Sequence, residues 1–181
     1  RDGWLRCLSD EGNELGRWNA QAPIVSSPAL TETHVYFVTE SGRLHALERE
    51  GLQSVWETTV GLQGPFLSSP TVAHGRVYVG SQNDGLLCLG APGGASTKSI
   101  WSGFLAGPGR SGNLDASPLP DRGALIWRCL ETEGDADERP IAITAPAATM
   151  GDLLCVPIAE GPHRGLMCLN HDSSSRQAPT Q

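Results

Sequence analysis

Residues 27–56 read SPALTETHVYFVTESGRLHALEREGLQSVW, and the same order of features returns in residues 69–101, SPTVAHGRVYVGSQNDGLLCLGAPGGASTKSIW. Each stretch opens on a Ser-Pro pair, passes through an apolar segment and then a leucine-rich segment that starts with Gly, and ends on Trp. Four short strands that repeat about every 40 residues are typical of a β-propeller blade. The sequence therefore predicts an all-β chain, a β-propeller of four-stranded antiparallel blades.

The repeat also predicts how the chain is divided. The carboxyl-terminal part supplies strands one to three of a blade and the amino-terminal part supplies strands three and four, so closing the ends on each other would duplicate a strand. We therefore expect about four to five blades, forming an arc of a larger propeller of about seven or eight blades. The predicted parts are a partial blade at 1–22, blades at 23–62 and 63–108, a degenerate blade at 109–143, a partial blade at 144–170 and a polar flexible tail at 171–181.

The apolar strands predict how the blades meet. Tyr36 and Val38 face one side of their strand, while Val35 and Phe37 face the other. Both sides are apolar, as expected for a blade that packs between two others. We expect the Trp that ends each repeat to lie against the neighbouring blade, and the predicted docking tryptophans are Trp18, Trp56 and Trp101.

Three of the five cysteines occupy one position of the repeat. Cys7, Cys88 and Cys168 align with Ala46, which predicts a structural position for a small apolar side chain. The chain contains no CxxC pair, and Cys129 and Cys155 also lie in apolar strands. The sequence therefore predicts packing roles for the thiols. An odd number of unpaired cysteines weakly favours a reducing compartment, or deep burial of the thiols in an oxidising one.

The charge and hydropathy patterns exclude two classes of partner. The net charge is −7 and the 13 Lys and Arg residues form no run, so we expect no nucleic-acid binding. No segment approaches the roughly 20 apolar residues that cross a bilayer, so we expect no transmembrane segment.

The sequence starts without Met or a signal-peptide pattern, and we interpret Arg1 as a cut end.

Other candidate groups have simpler structural interpretations. The acidic residues at 131–138 match no calcium-loop spacing, and residues 107–112 lack the Lys of a phosphate loop. The five histidines contain no HExxH motif; His45 is expected to pack, with the axial channel as the alternative. The pairs Ser26-Ser27 and Ser68-Ser69 recur at one position of the repeat without the GxSxG motif of a nucleophile, and their hydroxyls are expected to satisfy backbone groups beside a Pro. We predict no catalytic, cofactor or metal site.

The residues quoted above resemble the repeat of the pyrroloquinoline-quinone-type propellers, which occur in quinoprotein dehydrogenases and in BamB-like outer-membrane assembly proteins. The resemblance covers residues 2–170. The docking motif of that family, Ala-x-Asp-x-x-x-Gly-x-x-x-Trp, is matched by Ala46, Glu48, Gly51 and Trp56, with Gly51 one place early. It is also matched by Cys7, Gly12 and Trp18, with one additional residue before the Trp.

The resemblance implies three functions, of which the first is our leading expectation. A non-catalytic scaffold or binding module would present propeller loops or the rim to a protein partner, without a cofactor. Alternatively, the chain is a fragment of a quinone- and calcium-dependent dehydrogenase, although those enzymes hold their quinone with adjacent cysteines and this sequence has none. The third possibility is a sensor or scaffold propeller fused to an enzyme such as a kinase or an adenylating enzyme. Related repeats are mostly exported, which favours an extracytoplasmic or periplasmic location.

Overall fold

The computed structural model describes residues 2–24, 26–31, 33–60, 68–73, 75–81, 84–90, 123–129, 143, 145–150, 153–158 and 165–170. Within these ranges the regular structure is entirely β. The strands are β1 (Trp4–Leu8), β2 (Glu14–Asn19), β3 (Ala29–Leu30), β4 (His34–Val38), β5 (Arg43–Glu48), β6 (Ser54–Thr59), β7 (Thr71–Ala73), β8 (Arg76–Ser81), β9 (Gly85–Leu89), β10 (Leu125–Cys129), β11 (Ala148–Met150), β12 (Leu153–Ile158) and β13 (Gly165–Asn170).

The strands form four antiparallel sheets that follow one another along the chain. The first sheet is β1-β2, the second is β3-β4-β5-β6, the third is β7-β8-β9-β10, and the fourth is β11-β12-β13. Within each sheet every strand pairs with its neighbour in sequence, as in a meander; the connection from β9 to β10 is long. Gly42 and Gly51 lie in the two turns that flank β5, with φ of +74° and +81°, a conformation that glycine adopts without steric cost.

Three apolar cores lie between successive sheets, and the second sheet contributes to two of them. Val35 and Phe37 join the core shared with the first sheet, which includes Trp18 and Leu5. Tyr36, Val38 and Ala46 join the core shared with the third sheet. The predicted division of β4 into two apolar faces is therefore confirmed. We call the face of the second sheet that carries Tyr36, Ala46 and Trp56 its forward face, and use the same term for the corresponding face of each sheet.

The fourth strand of the third sheet corrects the predicted blade division. Residues 124–130 were assigned to a separate degenerate blade at 109–143, but β10 pairs with β9 along Leu125–Cys129 and completes the third sheet. The backbone N–H of Gly90 also donates to the carbonyl of Ala124, at 2.8 Å. The repeat did not predict this pairing because a long segment separates two strands that are neighbours in space.

Several features of the sequence lie outside the described residues: Trp101, the acidic segment at 131–138, residues 107–112 and the predicted tail at 171–181.

Gly80 shows how closely Ile143 packs on the third sheet. It occupies the place in β8 that Val38 occupies in β4, and the fully buried side chain of Ile143 lies against its Cα. A Cβ on Gly80 would overlap Ile143 and would lie 3.1 Å from the Ser68 hydroxyl. Ile143 thus fills the volume that a β8 side chain would otherwise occupy.

We expect Gly80→Ala to lower the free energy of unfolding by about 1–3 kcal/mol, because the added methyl group overpacks this site. Chemical denaturation measures the change. Gly16→Ala is the matched control, since a Cβ there would meet only Leu52 Cδ1 at an ordinary 3.6 Å. Equal stability of the two variants would contradict the close packing of Ile143 on Gly80.

Candidate functional site

A row of three side chains crosses the forward face of the second sheet. Tyr36 on β4 lies opposite Ala46 on β5, and Ala46 lies opposite Trp56 on β6. The two aromatic rings are 5.8 Å apart between centroids, so the small Ala46 side chain lets them approach over it. Tyr36 and Ala46 are fully buried. Burial raises the pKa of the Tyr36 hydroxyl above its usual value, and this hydroxyl has no hydrogen-bond partner among the described residues.

The Trp56 ring is the part of this row that contacts the next sheet. It packs against the core that contains Val79, Leu87 and Leu125 of the third sheet. A Cβ on Gly123 would lie 2.6 Å from Trp56 Cε3 and Cζ3, so the chain entering β10 passes directly over the indole. Because only a glycine allows this approach, Gly123 is a docking residue that the sequence analysis missed.

The third sheet pairs the equivalent backbone positions on three strands. Cys88 lies opposite Tyr78 on β8 and opposite Trp127 on β10, just as Ala46 lies opposite Tyr36 and Trp56. Cys88 is fully buried. The register therefore gives Trp127 the place that the sequence analysis gave to Trp101. Sequence alone did not indicate Trp127, since it follows a long segment that interrupts the repeat.

The first sheet departs from the pattern. Gly16, not Trp18, lies opposite Cys7, and Trp18 lies opposite Leu5, two places further along β2. Trp18 still points to the second sheet, where its ring centroid is 5.9 Å from Phe37 and 5.1 Å from His45. The additional residue before Trp18 in the docking motif therefore moves its ring onto a different part of the neighbouring sheet.

The shared cysteine position is buried in the third sheet and exposed in the first and fourth sheets. Cys88 is buried, whereas Cys7 and Cys168 are exposed, which corrects the expectation of a packed apolar position for those two thiols. Cys88 is enclosed by Tyr78 of its own sheet and by Leu154 and Val156 of the following sheet, all of which belong to one core. Cys155 is half-buried and lies opposite Cys168. The backbone of Cys129 belongs to β10, and its side chain lies outside the described structure.

The serines before the Ser-Pro pairs bind backbone groups, as predicted. The Ser68 hydroxyl accepts a hydrogen bond from Gly80 N at 2.7 Å and donates to Gly80 O at 3.0 Å. The Ser26 hydroxyl makes the equivalent pair of bonds to Val38, at 2.8 and 3.4 Å. Two further bonds join successive sheets: Ser27 N donates to Ser69 Oγ at 2.9 Å, and Thr71 Oγ1 donates to Ala147 O at 2.8 Å. These hydroxyls stabilise the stack of sheets.

His45 packs between two sheets rather than lining a channel. Its ring is 2% exposed and stacks on Phe37 at 5.2 Å between centroids, with the edge of Trp18 on the other side. Nδ1 lies 3.4 Å from Glu57 Oε2, but the geometry is not that of a hydrogen bond. Burial lowers the pKa of His45; the Glu57 carboxylate opposes this effect and Arg43 adds to it.

Within the described ranges, no three His, Cys, Asp or Glu side chains are grouped closely enough to hold a metal ion. The same ranges contain no helix with the length and apolar character needed to cross a bilayer.

Comparison with known proteins identifies the family. A family model described as "Outer membrane protein assembly factor BamB" matches residues 1–160. The chain belongs to this family. No curated protein matches the chain. Among solved structures, the chain is similar to "Dihydro-heme d1 dehydrogenase NirN in complex with DHE", with 16% identity and a TM-score of 0.52 over 94% of this chain and 33% of that one.

A second solved structure in the comparison is BamB from Moraxella catarrhalis. It shares 19% identity with this chain at a TM-score of 0.46, over 98% of this chain and 56% of that one. The chain thus spans about a third of the dehydrogenase chain and little more than half of the BamB chain. At these identities the likeness concerns the fold alone. The family match and the four sheets show that the fold is a partial β-propeller of the PQQ-like, BamB-like type, which confirms the predicted fold class.

We expect the chain to lose stability as the pH falls below about 6.5, the ordinary pKa of His. Below that value the unfolded chain binds a proton at His45, while the folded chain keeps the ring neutral because its pKa is lowered, so unfolding becomes more favourable. The urea midpoints of unfolding at about pH 7.5 and about pH 5.5 measure the loss of stability.

His45→Phe is the control, because it retains the stacking on Phe37; its urea midpoint should fall less between the two pH values than that of the unmodified chain. The pKa of His34 is also lowered, but that residue is present in both proteins. An equal loss in both would contradict this role for His45.

Proposed function

We propose that this chain is a non-catalytic propeller scaffold that binds a protein partner at the end of the molecule formed by the β1–β2 and β5–β6 turns. We propose an extracytoplasmic location as well, supported by the family description, which names outer membrane protein assembly. The observation that carries the binding proposal is the exposure of apolar side chains at equivalent positions of two successive sheets.

Leu15 and Val55 are these equivalent side chains. Cys7 and Ala46 occupy the same position of the repeat. Leu15 directly precedes Gly16, which lies opposite Cys7, and Val55 directly precedes Trp56, which lies opposite Ala46. Leu15 is 69% exposed and Val55 is 40% exposed. Two exposed apolar residues at one place of a repeat, on the outermost strand of each sheet, are typical of a surface that a partner covers.

Polar groups surround the apolar positions of the first sheet. Leu8 is 56% exposed and lies opposite Glu14, the residue before Leu15. Glu14 lies 3.7 Å from Arg6 Nε and 3.6 Å from Arg17 Nε, and the Arg17 guanidinium lies 5.1 Å from the centroid of the Trp4 ring. Apolar residues bordered by charged and aromatic side chains, with Arg and Trp among them, are characteristic of protein–protein interfaces.

The β5–β6 turn, which precedes Val55, is anchored by the neighbouring sheet. Leu52 in the β5–β6 turn is only 6% exposed and belongs to the core between the first and second sheets. Its Cδ1 approaches Gly16, next to Leu15. Leu52 adopts φ of +52°, an uncommon conformation for a branched side chain, so its burial compensates for local backbone strain. A binding surface on such a fixed turn loses little conformational entropy when a partner binds.

Two alternatives remain proposals of lower rank. A fragment of a quinone- and calcium-dependent dehydrogenase and a sensor propeller fused to an enzyme both use the same fold, and fold alone does not determine chemistry.

The test is a photo-crosslinking comparison in an envelope extract of the source organism. We expect the double variant Leu15→Glu, Val55→Glu to lose partners that the unmodified chain captures, because two charges at the centre of an apolar contact are costly to desolvate. Leu166→Glu is the matched control, since Leu166 is 68% exposed on β13 at the other end of the stack. It should capture the same partners as the unmodified chain.

Capture of the same proteins by the double variant would contradict the proposed surface. A parallel calorimetric titration with pyrroloquinoline quinone and Ca²⁺ tests the dehydrogenase alternative. Heat of binding to the unmodified chain would favour that alternative over the scaffold.

A further inference from the structure

The fourth sheet brings two thiols together. Cys155 on β12 lies opposite Cys168 on β13, and their Sγ atoms are hydrogen-bonded at 2.8 Å. The two residues occupy the places that Tyr36 and Ala46 occupy in the second sheet. In the third sheet the same two places hold Tyr78 and Cys88. A cysteine at the tyrosine position is therefore what makes the fourth sheet different.

Strand geometry favours a bond between these two sulfurs. Directly opposed residues of antiparallel strands have Cβ atoms about 4.5–5.5 Å apart. A disulfide needs about 3.5–4.5 Å, which a small adjustment of two paired strands supplies. The register continues without a bulge from Leu153↔Asn170 to Ile158↔Gly165, so the pairing around the two cysteines is regular.

The pair lies on the accessible face of its sheet. Leu154 and Val156, which flank Cys155, point the other way and are fully buried in the core shared with the third sheet. Cys168 is exposed and Cys155 is half-buried. A small reagent in solution therefore reaches Cys168 directly, and it reaches Cys155 through Cys168.

We propose that Cys155 and Cys168 form a reversible disulfide site, oxidised by thiol–disulfide exchange with a low-molecular-weight disulfide. This is a modification site separate from the proposed partner surface on the β1–β2 and β5–β6 turns.

The exchange proceeds in two steps that balance. The Cys168 thiolate attacks one sulfur of the oxidant RSSR, the S–S bond of the oxidant breaks, and one RSH leaves after taking a proton. Cys155 then loses its proton to solvent and attacks Cys168 Sγ, which releases the second RSH. Two protein thiols are oxidised to one disulfide, and one RSSR is reduced to two RSH.

The order of attack follows from the environment of Cys155. Its hydrogen bond to Cys168, together with partial burial, raises the pKa of Cys155 to about 11. Cys155 therefore keeps its proton while the more exposed Cys168 reacts. Once Cys168 is held in the mixed disulfide, that hydrogen bond no longer favours the protonated form, and Cys155 becomes the resolving thiol.

The test is incubation of the 181-residue chain in a buffer of oxidised and reduced glutathione, followed by alkylation and peptide mapping by mass spectrometry. We expect Cys155 and Cys168 of the unmodified chain to become unavailable to the alkylating reagent and to yield a linkage to each other, with no glutathione retained on either of them. Cys155→Ser should retain one glutathione on Cys168, because no resolving thiol is present. Reduced glutathione in excess should restore both thiols of the unmodified chain.

Cys7→Ser and Cys129→Ser are the controls, and both should form the linkage as the unmodified chain does. The peptide map of the unmodified chain is decisive by itself if a variant fails to fold. The proposal is overturned if Cys155 and Cys168 both remain alkylatable, if each carries its own glutathione, or if either sulfur is linked instead to another cysteine.

Discussion

The stack of the second and third sheets depends on one steric constraint: a small residue lies between two aromatic side chains on the forward face of the second sheet. In the second sheet, Ala46 separates Tyr36 from Trp56, and the row they form presents a continuous apolar surface to the third sheet. A larger residue at Ala46 would lift both rings. The same constraint explains Gly123, because the chain that enters β10 has room to cross the Trp56 ring only without a Cβ.

In the first and fourth sheets a different residue replaces one of the two aromatic residues, and the side-chain contacts of these sheets differ accordingly. In the first sheet Gly16 takes the place of the Trp, and Trp18 packs instead on His45, which loses contact with water. In the fourth sheet Cys155 takes the place of the Tyr, and two thiols meet. Packing between the first and second sheets thus accounts for the burial of His45. The rigid stack in turn fixes the turns on which Leu15 and Val55 are exposed.

The sequence predicted the features that depend on local pattern. Alternation along β4 predicted its two apolar faces, and the Ser-Pro pairs predicted the backbone bonds of Ser26 and Ser68. The fourth strand of the third sheet was not predictable from spacing, since its partner β9 lies far away along the chain. The exposure of Cys168 was not predictable either, because burial of that position depends on which sheet lies opposite and not on the strand itself. Gly123 gave no signal, since a lone glycine before an apolar strand is ordinary in sequence.

The most direct test of the central contact compares the free energy of unfolding of Trp56→Ala and Val55→Ala, two neighbours on β6 that face opposite sides. The row of Tyr36, Ala46 and Trp56 predicts a loss of about 3 kcal/mol for Trp56→Ala, near the lower end of the usual range because the ring is half-buried. It predicts a change within about 0.5 kcal/mol for Val55→Ala, whose side chain is exposed. Losses of similar size in both variants would show that the indole does not hold the sheets together, and would contradict this account of the stack.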